Sequence, residues 1–208
     1  MDTSAIAQLL EPYIQLDESR LAAISKYIDL LLKWNARMNL TAIRGPQEMV
    51  QRHFGESFFA ANHVLSHYSQ RPMRKIIDLG SGAGFPGVPF AMMAPAAEVT
   101  LIESNQKKAT FLRELIFLLG LKNTKVFDGR GESYTRTADV VTMRAVESFT
   151  KALPLAIQLA EPEGKIMLMI GSAQVVDTAS FGDKVEWSLP ILVPGGHSRA
   201  LLVGKNRP

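Results

Sequence analysis

Apolar residues early in the chain recur at spacings of three and four. Leu21, Ile24, Ile28, Leu31 and Trp34 form one stripe of an amphipathic helix, with Asp17 or Ser19 placed to cap it. A second helix is predicted from Pro46, a favourable first-turn residue, with the stripe Val50, Phe54, Phe58 and Ala61. Between residues 70 and 74, around Arg71-Pro72, the rhythm changes. Short apolar runs at 75–79, 99–103, 124–127, 139–143 and 165–170 read as buried strands, and amphipathic stretches lie between them. The clearest of these carries Phe111, Leu112, Leu115, Ile116 and Leu119 on one helical face. Strands alternating with helices predict a mostly parallel sheet covered on both faces. Segments 185–189 and 199–204 are joined by a Pro/Gly-rich loop with no room for a crossover helix, so they are expected to pair antiparallel at the end of the sheet. The expected organisation is a helical extension, residues 1–70, packed on an α/β core, residues 71–208.

Composition narrows the setting. The chain has no cysteine, which removes disulfides, thiolate chemistry and cysteine-ligated zinc together. No apolar run approaches the roughly 18–20 residues of a membrane span. The opening residues lack the basic flank of a signal peptide. A cytoplasmic, membrane-free protein is expected. The net charge of +3 permits a nucleic-acid partner only if the basic residues cluster.

The strongest motif runs Ile76-Ile77-Asp78-Leu79-Gly80-Ser81-Gly82-Ala83-Gly84-Phe85-Pro86-Gly87, a strand leading through alternating glycines into a helix. Glycines at Gly80, Gly82 and Gly84 permit positive φ and close approach of a ligand to the backbone. Pro86 and Pro89 mark the helix start. Gly82-x-Gly84-x-x-Gly87 also satisfies the dinucleotide fingerprint, in which a pyrophosphate sits on the helix N-terminus. Asp78 argues for a different ligand, because an acid two residues before the first glycine suits a cationic amino group and offers nothing to a pyrophosphate. The whole pattern resembles the first motif of Rossmann-like methyltransferases, whose cofactor is S-adenosylmethionine. Glu103, at the end of the second strand, is placed to accept from both ribose hydroxyls of a nucleoside cofactor, or, taken alone, to start the following helix beside Ser104. Asp128-Gly129-Arg130-Gly131-Glu132 follows the third strand, where a loop of this fold would lie over the adenine; taken alone it reads equally as a surface loop.

Four further segments narrow the resemblance. Trp34-Asn35-x-x-Met38-Asn39-Leu40-Thr41 resembles a WN-x-x-x-NLT signature, and Arg52-His53-Phe54-x-Glu56-Ser57 resembles RH-x-x-DS. Phe111-Leu112-Arg113 follows the second strand at the expected distance, and Val141 to Val146 resembles a fourth-strand signature ending in RAV. In this order the chain resembles the glucose-inhibited division protein B (RsmG) family over about residues 20–205. The resemblance implies a class I fold with a seven-stranded sheet and an antiparallel last strand. It also implies S-adenosylmethionine as cofactor and methylation of guanine N7 in the 530 loop of 16S ribosomal RNA, naked or in the small-subunit particle. Methylation of a protein or small molecule is the alternative.

By the same resemblance Gly80, Phe85, Gly131 and Glu132 fall on cofactor-contact positions, and Arg144 on a cofactor or active-site arginine. Arg52 and His53 border the pocket, and Arg130 and Arg199 are candidate RNA contacts. Each also has a plainer reading: Arg52 and Glu56 stand at i,i+4 as a surface pair would, and His53 is a helical histidine. Glu56 stands where the family usually has Asp, and Ile170 where it commonly has a lysine. No metal is expected, although His63 and His67 form an i,i+4 pair. Guanine N7 carries a free lone pair, so the chemistry asks for alignment more than for a base.

Overall fold

The computed structural model describes residues 1–67, 73–145, 149–196 and 198–208. The expected boundary at residues 70–71, together with Arg71, Pro72, Val146 and His197, lies outside them.

The N-terminal part holds one more helix than the pattern predicts. Helix α1 (Thr3–Leu10) is capped by the Asp2 carboxylate, which accepts from the Ala5 N–H, and it buries Ile6 and Leu10. Helix α2 (Glu18–Asn35) is capped by Asp17, whose carboxylate accepts from Arg20 N at 2.8 Å; Ser19 only donates to that carboxylate. The expected stripe of α2 is buried except at its end, where Trp34 is half-buried. The second predicted helix does start at Pro46, but as three continuous pieces: α3 (Pro46–Glu48), a π-helical segment (Met49–Gly55) and α4 (Glu56–His67). Val50, Phe54, Phe58 and Ala61 are all fully buried.

The strands are β1 (Lys75–Leu79), β2 (Glu98–Glu103), β3 (Thr124–Asp128), β4 (Ala138–Arg144), β5 (Ala160–Gly171), β6 (Val185–Trp187), β7 (Ile191–Leu192) and β8 (Arg199–Asn206). They form one sheet in the order β3-β2-β1-β4-β5-β8-β6, and β7 adds to β8 off that path. The expected seven strands are therefore joined by an eighth of two residues, inside what the sequence predicts as a loop. Strands β1 to β5 pair in parallel, and β8 runs antiparallel between β5 and β6.

Period-two alternation divides the core between the two faces. Ile76, Val99, Leu101, Val140, Met167, Leu201 and Val203 join the N-terminal helices, α5 (Gly87–Met93) and α6 (Gln106–Leu119) in one cluster. Ile77, Leu79, Ile102, Val141, Met143, Ile166, Leu168 and Leu202 face α7 (Phe149–Leu159) in the other. The short α8 (Val175–Thr178) follows β5. Because β1 to β4 are parallel, their carboxyl ends lie along one edge, where open α/β sheets bind ligands.

Candidate active site

At the end of β1 the chain passes through Gly80, Gly82 and Gly84 with φ of +73°, +56° and +93°, which L side chains rarely adopt. A Cβ at Gly84 would collide with the Tyr27 hydroxyl and Val88, whereas a Cβ at Gly82 would meet only Gly80 O, at 3.9 Å. Packing therefore requires the glycine at 84, and at 82 only the backbone conformation does. The loop is tied down by its own amides. Gly80 N and Ser81 N donate to Ile102 O, and Gly82 N donates to Glu103 Oε2 at 2.9 Å. Pro86 is the cap residue of α5 and Pro89 its third residue.

Asp78 lies beneath this loop, 1% exposed. Its Oδ2 accepts from Gly87 N at 3.0 Å and its Oδ1 from the Thr142 hydroxyl at 2.8 Å. The two oxygens thus tie β1 to the start of α5 and to β4, and the carboxylate does not line the neighbouring cleft, where the sequence suggests it for a cationic amino group. Burial pushes its carboxyl up to about 6, against the hydrogen bonds from Thr142, Ser81 and Gly87 that favour the anion. An acid bonded to the first amide of α5 also opposes a pyrophosphate there.

Beside the loop a cleft of about 310 Å³ is lined by Leu79, Gly80, Glu103, Arg130, Gly131 and Glu132 among others. Glu103 is 7% exposed, and its second oxygen accepts from Asn105 N at 2.8 Å, so it ties the glycine loop to the entry of α6. Gly131 is fixed by packing, since a Cβ would clash with Leu79 and Leu155. Arg130 and Glu132 are exposed at the rim. Lys151 of α7 also lines the cleft. Sequence reasoning missed it because no motif marks it; its place after a strand's carboxyl end was the available signal.

A second group of predicted residues gathers around Arg144. Its Nη2 donates to Arg52 O at 2.6 Å and to Glu56 Oε2 at 3.1 Å, and its Nη1 donates to His53 O and the Ser57 hydroxyl. The guanidinium thus adds a donor to two carbonyls of the π-helical segment, and His53 O also accepts from Glu56 N. Arg52 does not pair with Glu56, the pairing its i,i+4 spacing suggested; it pairs backwards with Glu48 at 2.9 Å. Glu56 is instead buried, 2% exposed, and turned toward Arg144 and Arg199.

His53 is packed, and its ring stacks on Phe85 at 4.8 Å. Phe85 stacks on Tyr27 from its other neighbour at 5.1 Å, and the Tyr27 hydroxyl donates to Ala83 O. The ring after the glycine loop is thereby gripped between two N-terminal helices. Burial, with Arg144 and Arg52 nearby, pulls the His53 imidazole down to about 3, so it is neutral near pH 7. Its Nε2 pairs with Thr41 Oγ1 at 2.8 Å. Thr41 N in turn donates to Asn35 Oδ1, Arg44 bridges Asn39 Oδ1 and Asn35 O, and Trp34 Nε1 donates to Glu114 on α6. The Trp34–Thr41 signature is thus a bonded turn that sets the position of His53.

Ile170 is 6% exposed within the second core. Across the ladder Ala200 faces Ile170 and Arg199 faces Gly171, so the nearby cation comes from β8. Among the described residues, no group of three or more His, Cys, Asp or Glu is gathered to hold a metal.

The cleft suits a nucleoside cofactor better than a dinucleotide. It offers a buried carboxylate at the end of β2 and Gly80 of the glycine loop in its wall, beside a helix start already occupied by Asp78. Comparison with known proteins agrees. Residues 20–190 match the family described as GidB, rRNA small subunit methyltransferase G. A ribosomal RNA small subunit methyltransferase G from Xylella fastidiosa is 38% identical over 161 residues, 76% of this chain and 73% of the relative. One from Nitrosomonas europaea is 35% identical over 200 residues, 92% of this chain and 90% of the relative. The fold is similar to that of a SAM dependent methyltransferase from Aquifex aeolicus, with a TM-score of 0.60 at 15% identity, covering 77% of this chain and 93% of that one. The chain belongs to the rRNA small subunit methyltransferase G (GidB) family.

Proposed function

We propose that this protein transfers a methyl group from S-adenosylmethionine to N7 of a guanine in the 530 loop of 16S ribosomal RNA. The observation that carries the reading is the convergence of the glycine loop, Glu103 and the Gly131-Glu132 turn on one cleft, beside the surface organised by Arg144. S-adenosylmethionine, when bound, supplies a methyl group already activated by its sulfonium. Glu103 would accept from its ribose hydroxyls, and Gly131 and Glu132 would border its adenine. Gly80, Gly82, Gly84 and Phe85 shape the wall that the cofactor lies along, and Asp78 holds that wall to α5.

N7 has a free lone pair, so no side chain has to remove a proton. The residues around Arg144 act by orientation, which can supply roughly 7–11 kcal/mol where alignment is good. Arg144 fixes the helix carrying Arg52 and His53, and His53 stays neutral against Phe85. The target edge of guanine is hidden in an A-form helix, so the base must come from a loop or be unstacked. Arg130 at the cleft rim and the half-exposed Arg52 are placed to meet phosphates. Ribosomal RNA as substrate implies work in the cytoplasm, on naked RNA or on the small-subunit particle.

Calorimetry tests the cofactor half of this reading. S-adenosylmethionine or its demethylated product should bind, and NAD much more weakly. Gly82→Val should abolish binding, because it strains the loop at a φ of +56° and puts a side chain into space that no protein atom fills. Tight NAD binding without S-adenosylmethionine binding would end the proposal.

A further inference from the structure

Glu56 meets two arginines at the carboxyl edge of the sheet. Arg144 ends β4 and pairs in register with Met169; Arg199 begins β8 and pairs with Gly171. The two therefore flank the end of β5 on opposite sides, with Glu56 between them. Its Oε2 takes Arg144 Nη2 at 3.1 Å, and its Oε1 lies 2.7 Å from Arg199 Nε.

The arginines are held differently. Arg144 spends both Nη groups on the protein, through four hydrogen bonds directed at Arg52, His53, Glu56 and Ser57. Arg199 meets Glu56 as a charge contact without hydrogen-bond alignment, through Nε alone. Its side chain is 29% exposed, and no hydrogen bond among the described residues engages its Nη groups. Among the described residues, Glu56 is the one carboxylate in contact with the two guanidiniums, so this contact leaves a positive charge uncompensated. An anion that reached the Nη fork would compensate it, and a planar fork matches phosphate geometry.

We infer that Glu56 is a positioning residue: it holds Arg144 inward and turns the Nη fork of Arg199 outward, toward a phosphate of the bound RNA. This rests on the functional reading above. Glu56 touches neither cofactor nor base and acts through the arginines. The inference assigns a task to the acid of the Arg52–Ser57 signature and gives the end of β5 its cation.

The test uses the full-length protein and small ribosomal subunits lacking the modification, with methyl transfer followed as a function of RNA and salt concentration. Arg199→Gln should raise KM for RNA about tenfold and make the slope of log affinity against log salt shallower by about one. Its effect on kcat should be smaller, and S-adenosylmethionine affinity by calorimetry should be unchanged. Arg199→Lys, which keeps the charge without the fork, should recover part of the loss. Glu56→Gln is the sharper variant. It adds net positive charge, so a pure charge effect would lower KM for RNA; a positioning role raises it. Glu56→Asp keeps the charge on a shorter stem and should fall between Glu56→Gln and the unaltered protein. Unchanged KM and salt slope in Arg199→Gln, or a lowered KM in Glu56→Gln, would overturn the inference while leaving the methyltransferase reading intact. Failure of the unaltered protein to methylate RNA would overturn both.

Discussion

Replacing Asp78 by Asn tests whether the glycine loop is built on a buried, strained charge. The Asp78 carboxyl is raised from 3.8 to about 6 by burial. A rise from 3.8 to about 6 corresponds to ~3 kcal/mol. The sign follows from proton uptake. Between these two values the folded state holds a proton that the unfolded chain has lost, so this group lowers stability as pH rises from about 4 to about 6, and the loss persists above. His53 acts oppositely over an overlapping window. Its imidazole is lowered from 6.5 to about 3, so the unfolded chain binds the extra proton and stability rises with pH. The unaltered protein therefore shows a blunted pH profile, and the difference between it and Asp78→Asn isolates the carboxyl. The amide can be accommodated: its oxygen takes Gly87 N, and its NH₂ donates to Thr142 Oγ1, whose hydroxyl already lies 3.4 Å from Ile77 O. That rearrangement costs on the order of 1 kcal/mol and does not vary with pH. Urea unfolding of both proteins from about pH 4 to about pH 8 should show the variant gaining ~3 kcal/mol relative to the original across the window. Parallel stability curves would refute the reasoning.

Other substitutions probe separate parts of the account. Glu103→Ala removes the acceptor for Gly82 N and Asn105 N as well as the proposed ribose contact, so calorimetry should show S-adenosylmethionine affinity falling by more than about tenfold, or ~1.4 kcal/mol. Arg144→Ala leaves Glu56 with Arg199 alone and removes a donor from the Arg52 and His53 carbonyls; unfolding should show a loss of about 3–5 kcal/mol alongside lost activity. Arg144→Lys keeps the charge but not the fork, and should lose more methyl transfer than thermal stability. Gly84→Ala places a Cβ against Tyr27 and Val88 at a φ of +93°, and should lower the unfolding midpoint by the equivalent of at least ~2 kcal/mol. Ile170→Lys puts an ammonium into the second core and should destabilise the fold instead of improving RNA affinity.

How far the sequence could be read depended on how local each feature is. Strand β1 falls on residues 75–79 as its apolar run predicts, and β2 differs by one residue, Glu98. The glycine loop and Glu103 are legible because their spacing along the chain is itself the geometry. Strand β7 was not, since two residues carry no period and their pairing to Leu201 and Ala200 is set by the neighbouring strand. Helix α1 had its cap, Asp2, and its buried pair, Ile6 and Leu10, but a stretch that short is a weak pattern. The π-helical segment was hidden for a physical reason. Val50, Phe54 and Phe58 repeat every four residues as an α-helix would, and the irregularity is met by Arg144, far along the chain. The partners of Glu56 are hidden for the same reason: its spacing allows a surface pair with Arg52, while the residues it meets come from β4 and β8.

The most direct test is to incubate the protein with methyl-labelled S-adenosylmethionine and small-subunit RNA lacking the modification, then digest the RNA and identify the labelled nucleoside by mass spectrometry. A single labelled product, 7-methylguanosine, should arise from the 530 loop, and its yield should fall as salt rises. Label on another ring position would contradict the chemistry, and labelled protein with unlabelled RNA would contradict the substrate.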